Sequence, residues 1–164
     1  MSTAYVGIGS NLGDSVAIVR AAAQSLDQVP KTHVLRLSAL YVTPPWGDIE
    51  QPDFINAVAE IDTQLAPRVL LTELLAIEAR AGRQRDATRW GPRLLDLDVL
   101  LYGNLRVDED GLQIPHPRLR ERAFALLPLA DLVPQHNVPG QGRVAEMLAR
   151  IDTRALRQYG GNTP

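Results

Sequence analysis

Apolar positions along the chain recur with a period of two in some stretches and of three to four in others, and the succession of these stretches outlines the fold. Ala4–Ile8 reads as a short buried strand. After it, Asp14 or Ser15 can cap a helix running to about Gln28, with Ile18, Ala22 and Leu26 on one face. Val34–Val42 reads as a second strand, closed by the breaker-rich TPPWGDIEQP, and Phe54–Ile61 as a third. Pro67 suits the first turn of a helix and Gly82 its end. Leu94–Tyr102 is the fourth strand. The order βαββαβ predicts an α+β fold of ferredoxin-like type, an antiparallel sheet with helices on one face. Beyond residue 103 proline punctuates the chain; IPHPRLRERAFALLPLADLVP is expected to hold one helix and Arg143–Arg150 another. Residues 1–164 are expected to form a single domain.

The fourth strand carries a conflict. By alternation Leu95, Leu97, Val99 and Leu101 share one apolar face, and Asp96 and Asp98 share the other, roughly 6.6 Å apart at ~3.3 Å per residue. Two like charges at this spacing disfavour each other's ionised state unless a cation compensates them. On spacing alone, a solvated edge strand with arginines nearby accounts for the pair better than a metal site does, because Asp-x-Asp is short and common. Phe54 and Asn56 also share a strand face. In most chains that is a core aromatic and a satisfied amide, but it is also how a flat heterocycle is stacked and read.

Composition narrows the function classes. The formal net charge of −2 gives no global attraction to nucleic acid or anionic membrane. No apolar window is long enough for a membrane span, and no secretory signal is visible, so a cytoplasmic protein is expected. The absence of cysteine excludes disulfides and thiolate ligands. Of the 17 basic residues only Lys31 is lysine; the arginines include a cluster at Arg80, Arg83, Arg85, Arg89 and Arg93 and another at Arg118, Arg120 and Arg122. Arginine suits bidentate phosphate recognition.

Two connections, Thr43–Asp53 and Arg83–Pro92, are long for so small a core, and long ordered loops are often functional. Each holds one of the two tryptophans, Trp46 and Trp90. GIGSNLGD fails as a nucleotide loop, since position 12 is leucine and Gly13 comes one residue late; a strand-to-helix turn needing glycine explains it. Glu78 falls in the last helical turn, where a salt bridge to a nearby arginine is the simplest account. The three histidines form no metal pattern, though His116 lies among arginines. Together, two carboxylates on one strand face, clustered arginines and an aromatic–amide pair describe a phosphate-transfer site using Mg²⁺.

RWGPRLLDLDVLL resembles the signature of the 6-hydroxymethyl-7,8-dihydropterin pyrophosphokinases of folate biosynthesis. IGSNLGD, TPPWG, QPDFINAV, IEARAGR, HPRLRERAFALLPL and DLVP resemble further segments of that family, in its order. The resemblance implies transfer of the β,γ-diphosphate of ATP to the pterin hydroxymethyl group, with release of AMP. It implies two Mg²⁺ ions on Asp96 and Asp98, with Arg83 and Arg93 engaged in catalysis. It places Thr43, Pro44, Pro45, Trp46, Phe54, Asn56, Trp90 and Phe124 around the pterin, and Glu78, Arg85, Arg93, Val99, His116 and Arg122 on the ATP side. Partners are then these two small molecules, with no nucleic acid or membrane and a monomeric chain. The chain departs from the family pattern at Phe54, often tyrosine, and at Leu75, Asp86 and Gly111, where other members place polar or basic groups.

Two other classes suit the same carboxylates and fold. A nucleotidyl-transferring or cyclising enzyme would release free diphosphate, and a non-catalytic ligand- or RNA-binding domain would bind without metal. The net negative charge and the lack of an aromatic RNA-binding strand motif argue against RNA.

Overall fold

The computed structural model describes residues 1–45, 50–82 and 94–160. Its centre is an antiparallel sheet built on the long ladder between β1 (Ser2–Ser10) and β4 (Phe54–Thr63). Outside β1 lies β5 (Asp96–Tyr102), an edge strand. Outside β4 lie β2 (Thr32–Leu37) and β3 (Tyr41–Thr43), both antiparallel to it. The strand expected over Val34–Val42 is thus two strands on one edge. The break falls at Ser38, whose Oγ accepts the Val58 N–H at 2.9 Å while its own N–H goes to the Val58 carbonyl. A short β10 (Arg157–Gln158) extends the sheet beyond β3.

Helices α1 (Ser15–Asp27) and α2 (Pro67–Arg80) cover one face. Asp14 caps α1 by accepting from Ala17 N. Pro67 opens α2, and Gly82 follows its end at φ +85. Val19, Ala22 and Leu26 of α1 and Leu70, Leu74 and Ile77 of α2 are buried against Ala4, Val6, Ile8, Ala57, Ala59 and Ile61. In α1 the inward position is therefore Val19, with Ile18 only partly covered.

The second face is not bare, as a sheet with helices on one side alone would leave it. After β5 come a hairpin of β6 (Val107–Glu109) and β7 (Leu112–Ile114), a 3-10 turn (Leu119–Glu121), α3 (Ala123–Leu132), a hairpin of β8 (Asn137–Val138) and β9 (Gly142–Arg143), and α4 (Val144–Ala149). Helices α3 and α4 build a second core on Tyr5, Val58, Leu100 and Leu101. This core covers about half the face; Gly7, Gly9, Phe54, Asn56, Asp96 and Asp98 occupy the other half.

A bulge in β5 decides which half is which. Tyr5 pairs with Leu101 but Val6 pairs with Val99, so Leu100 is an extra residue on β5. Leu95, Leu97 and Val99 point into the first core, as alternation predicts. Leu101 does not join them: past the bulge it enters the second core beside its partner Tyr5, while Tyr102 and its partner Ala4 enter the first. No described helix is long and apolar enough to cross a membrane.

Candidate active site

The uncovered half of the second face is the floor of a cleft of about 410 Å³. Gly7 pairs with Asp98 and Gly9 with Asp96, so directly opposed residues share the face. Both glycines lie inside β1, and only Gly13, at φ +76, serves the turn into α1. The reading of GIGSNLGD as a strand-to-helix turn needing glycine thus holds for Gly13 and is corrected for Gly7 and Gly9. Gly9 is required for room: a Cβ there would sit 2.7 Å from Asn56 Oδ1. Asn56 is itself buried and donates from Nδ2 to Thr43 Oγ1 at 2.8 Å. The floor is therefore bare backbone, with an amide at one side and two carboxylates at the other.

Side chains from the C-terminal elements make the walls. Phe54 and Phe124 both line the cleft, and the Arg122 guanidinium stands 5.7 Å from the Phe124 ring centroid. Arg122 Nη1 lies 3.8 Å from Asp98 Oδ2, with the Asp98 side chain half-exposed. The loop side is held by Asn11, which donates from Nδ2 to Gln51 Oε1 at 2.8 Å and to the Pro52 carbonyl at 2.9 Å.

A second cleft, also about 410 Å³, lies between α2 and the β6–β7 hairpin. Leu71, Val99, Gly111 and Gln113 line it, with acidic side chains at Asp108, Glu109 and Asp110. Among the described residues the two clefts share only Asp98 and His116. The His116 N–H donates to the carbonyl of the bulge residue Leu100 at 3.0 Å. Burial, with Arg122 and Arg118 close by, pushes the His116 imidazole down to about 4, so it is neutral at physiological pH. Its Nδ1 accepts from Arg118 N at 3.1 Å, which leaves the ring hydrogen on Nε2 as a donor.

Glu78 is 3% exposed. Its Oε2 accepts the N–H of Leu97 at 2.7 Å, on the residue between the two aspartates. It lines neither cleft among the described residues, and this bond ties it to the strand that carries the carboxylates.

A family model for 7,8-dihydro-6-hydroxymethylpterin-pyrophosphokinase (HPPK) matches residues 5–134. The chain belongs to the HPPK family. ATP-dependent pyrophosphoryl transfer to hydroxymethyldihydropterin, in folate biosynthesis, is the activity that HPPK membership carries. The 2-amino-4-hydroxy-6-hydroxymethyldihydropteridine pyrophosphokinase of Methylorubrum extorquens is 45% identical over 158 residues, 96% of this chain and 99% of that protein. The Pseudomonas aeruginosa protein of the same name is 43% identical over 157 residues, 96% of each. A crystal structure of an HPPK-DHPS protein in complex with substrates matches with a TM-score of 0.72 at 13% identity. It covers 91% of this chain and 43% of that one. Plasmodium falciparum HPPK-DHPS A437G with STZ-DHP matches at 0.71, also at 13% identity, over 91% of this chain and 45% of that one. The chain thus spans less than half the length of those proteins, and the likeness shows the HPPK fold.

Of the residues expected around an HPPK pterin, Thr43, Pro44, Phe54, Asn56 and Phe124 line the first cleft together with Asp96 and Asp98. Of those expected on the ATP side, Val99 lines the second cleft, Arg122 the first and His116 both. Pro45 is described but lines neither. Trp46, Arg83, Arg85, Asp86, Trp90 and Arg93 lie outside the described residues. Sequence reasoning missed Gly7, Gly9, Arg118 and Glu121 as lining residues. The glycines had a legible signal: Gly7 and Gly9 alternate with Val6 and Ile8, on the face where a strand buried on both sides needs side chains.

Proposed function

We propose that the pterin occupies the first cleft and ATP the second, and that the reacting groups meet above Asp98 and His116. One observation carries this reading: among the described residues, two clefts of about 410 Å³ each share only a carboxylate and a neutral imidazole. Asn56 and Thr43 read the polar edge of the heterocycle, and Phe54 and Phe124 flank its plane. The hydroxymethyl oxygen attacks the β-phosphorus and gives up its proton to solvent, the bridge to the α-phosphorus breaks, and AMP departs with the bridging oxygen. His116 donates from Nε2 to phosphate oxygen, and Arg122 adds a fixed positive charge beside it. Arg83, Arg85 and Arg93 complete the phosphate contacts and Trp90 covers the pterin, as the resemblance implies.

Asp96 and Asp98 offer hard oxygen donors, and among the described residues no group of three or more acidic, histidine or cysteine side chains forms a closed metal cage. That donor set fits Mg²⁺, which is held by one or two carboxylates together with substrate phosphates and water. Bound there, Mg²⁺ neutralises phosphate charge and orients the triphosphate.

The test is incubation with ATP and 6-hydroxymethyl-7,8-dihydropterin, with and without a chelator. Mg²⁺-dependent AMP and pterin diphosphate in equal amounts are expected. ADP or free diphosphate as the nucleotide-side product would overturn the reaction, and undiminished AMP formation in chelator would overturn the metal.

A further inference from the structure

The turn that joins β8 to β9 reaches back to both ends of the β6–β7 hairpin. At one end, the Arg106 guanidinium lies against Gly140 so closely that a Cβ there would be 2.8 Å from Nη2. At the other, Gln141 donates from Nε2 to the carbonyl of His116 at 3.0 Å. Gly140 and Gly142, at φ +76 and +116, allow the backbone to present Gln141 in this way.

Two features separate this contact from ordinary satisfaction of a buried carbonyl. The His116 carbonyl already accepts the N–H of Leu119 at 3.2 Å, so it would not be orphaned without Gln141. The other end of the Gln141 amide, Oε1, is buried with no hydrogen-bond partner among the described residues. An apolar side chain of similar length would leave no such atom, so stability alone does not account for glutamine here. The bond does fix a direction. With His116 N–H on the Leu100 bulge and Nδ1 on Arg118 N, the Gln141 bond makes a third restraint on this one residue.

We propose that Gln141 is a positioning residue for the pyrophosphokinase reaction: it orients His116 at the junction of the two clefts from a hairpin that lines neither. The proposal rests on the reading of the second cleft as the ATP side. Gln141 then acts on nucleotide affinity and turnover through His116, and far less on the pterin, whose cleft His116 also borders.

The variant Gln141→Met keeps the length of the side chain and removes the donor. Full-length wild type and variant are compared by thermal melt, by steady-state kinetics with each substrate varied, by pterin titration, and by NMR of ring-labelled histidine. A Tm within a few degrees of wild type is expected, with KM for ATP raised about tenfold or kcat lowered to match. The pterin Kd stays within about twofold, and the His116 ring signals move while those of His33 do not. These magnitudes follow from small displacements of positioning groups. Gln141→Glu, which turns an acceptor toward the same carbonyl, should show the same ring shift with a larger kinetic loss, and it serves if Gln141→Met fails to fold. Unmoved His116 signals and a KM for ATP within twofold of wild type would overturn the proposal. So would an equal loss for both substrates. If the wild type itself made no AMP, the functional reading would fail, while the ring shift would still report on the Gln141 contact.

Discussion

Asp96 and Asp98 sit on a strand edge with their side chains turned toward a bare backbone floor, so removing one charge leaves no cavity. Asp96→Asn and Asp98→Asn are each expected to lower kcat by about 10² or more, by analogy with the loss of a single preorganised electrostatic group. The metal-free fold should hold, because substitution relieves like-charge repulsion and the ion pair that Asp98 makes with Arg122 is half-exposed and 3.8 Å long. Matched thermal melts and product assays check both halves, and near-wild-type turnover in either variant excludes a metal role for that residue. Gly9→Ala acts from the floor. Its methyl group would meet Asn56 Oδ1 at 2.7 Å, so either the amide or the ligand must give way. Pterin affinity should fall about tenfold or more while the nucleotide Kd changes little, a split that calorimetric titration resolves. Equal changes in both affinities would mean that Asn56 does not read the pterin.

Between elements, the decisive contact joins α2 to β5. Glu78 accepts the Leu97 N–H on the outer edge of β5, a place where an edge strand has no neighbour to bond. Glu78→Ala leaves that buried N–H without its carboxylate and should cost about 1–3 kcal/mol. It should also lower turnover, because the strand segment that carries Asp96 and Asp98 loses its outer restraint. Glu78→Gln keeps an acceptor oxygen and should recover most of the stability. Chemical denaturation of the three proteins decides; an alanine variant as stable as wild type would show the contact to be idle. The βαββαβ order, both early helices and the two late helices were legible from periodicity, since each reflects its own segment's pattern. What was not legible depends on distant partners. The β2–β3 break needs Val58 opposite Ser38. The reversal of Leu101 needs a bulge whose extra carbonyl finds His116 N–H. The β6–β7 and β8–β9 hairpins are too short for any period to declare them. Asp96, Asp98, Asn56 and Phe54 stand out because they break or share a strand pattern; Gly7 and Gly9 read as turn glycines because their contribution to the cleft is the absence of a side chain.

Across the whole molecule, the second layer is tied to the sheet by Glu60. It takes the Tyr5 hydroxyl at 2.7 Å and two bonds from Arg36, at 2.9 and 2.8 Å, and Arg36 also reaches the Leu132 carbonyl at the end of α3. The Arg36 bonds hold the Glu60 carboxyl below its ordinary 4.5, with the Tyr5 bond helping and burial opposing. A carboxyl lowered on folding stabilises the native state above its unfolded value and loses that contribution as pH falls through the folded one. The stability that Glu60 confers should therefore be intact at neutral pH and decline below about pH 4.5. Glu60→Gln should lower the Tm at pH 7 by a few degrees and narrow the gap to wild type as the medium is acidified; a gap that is constant with pH would exclude the linkage. The same half-covered face has a consequence for inhibition. A planar inhibitor lying where the glycines are would rest on main-chain atoms, which substitution cannot change in kind. Any replacement at Gly7 or Gly9 that pushed such a compound away would intrude equally on the substrate, so escape by mutation at the floor would disable the enzyme along with the drug.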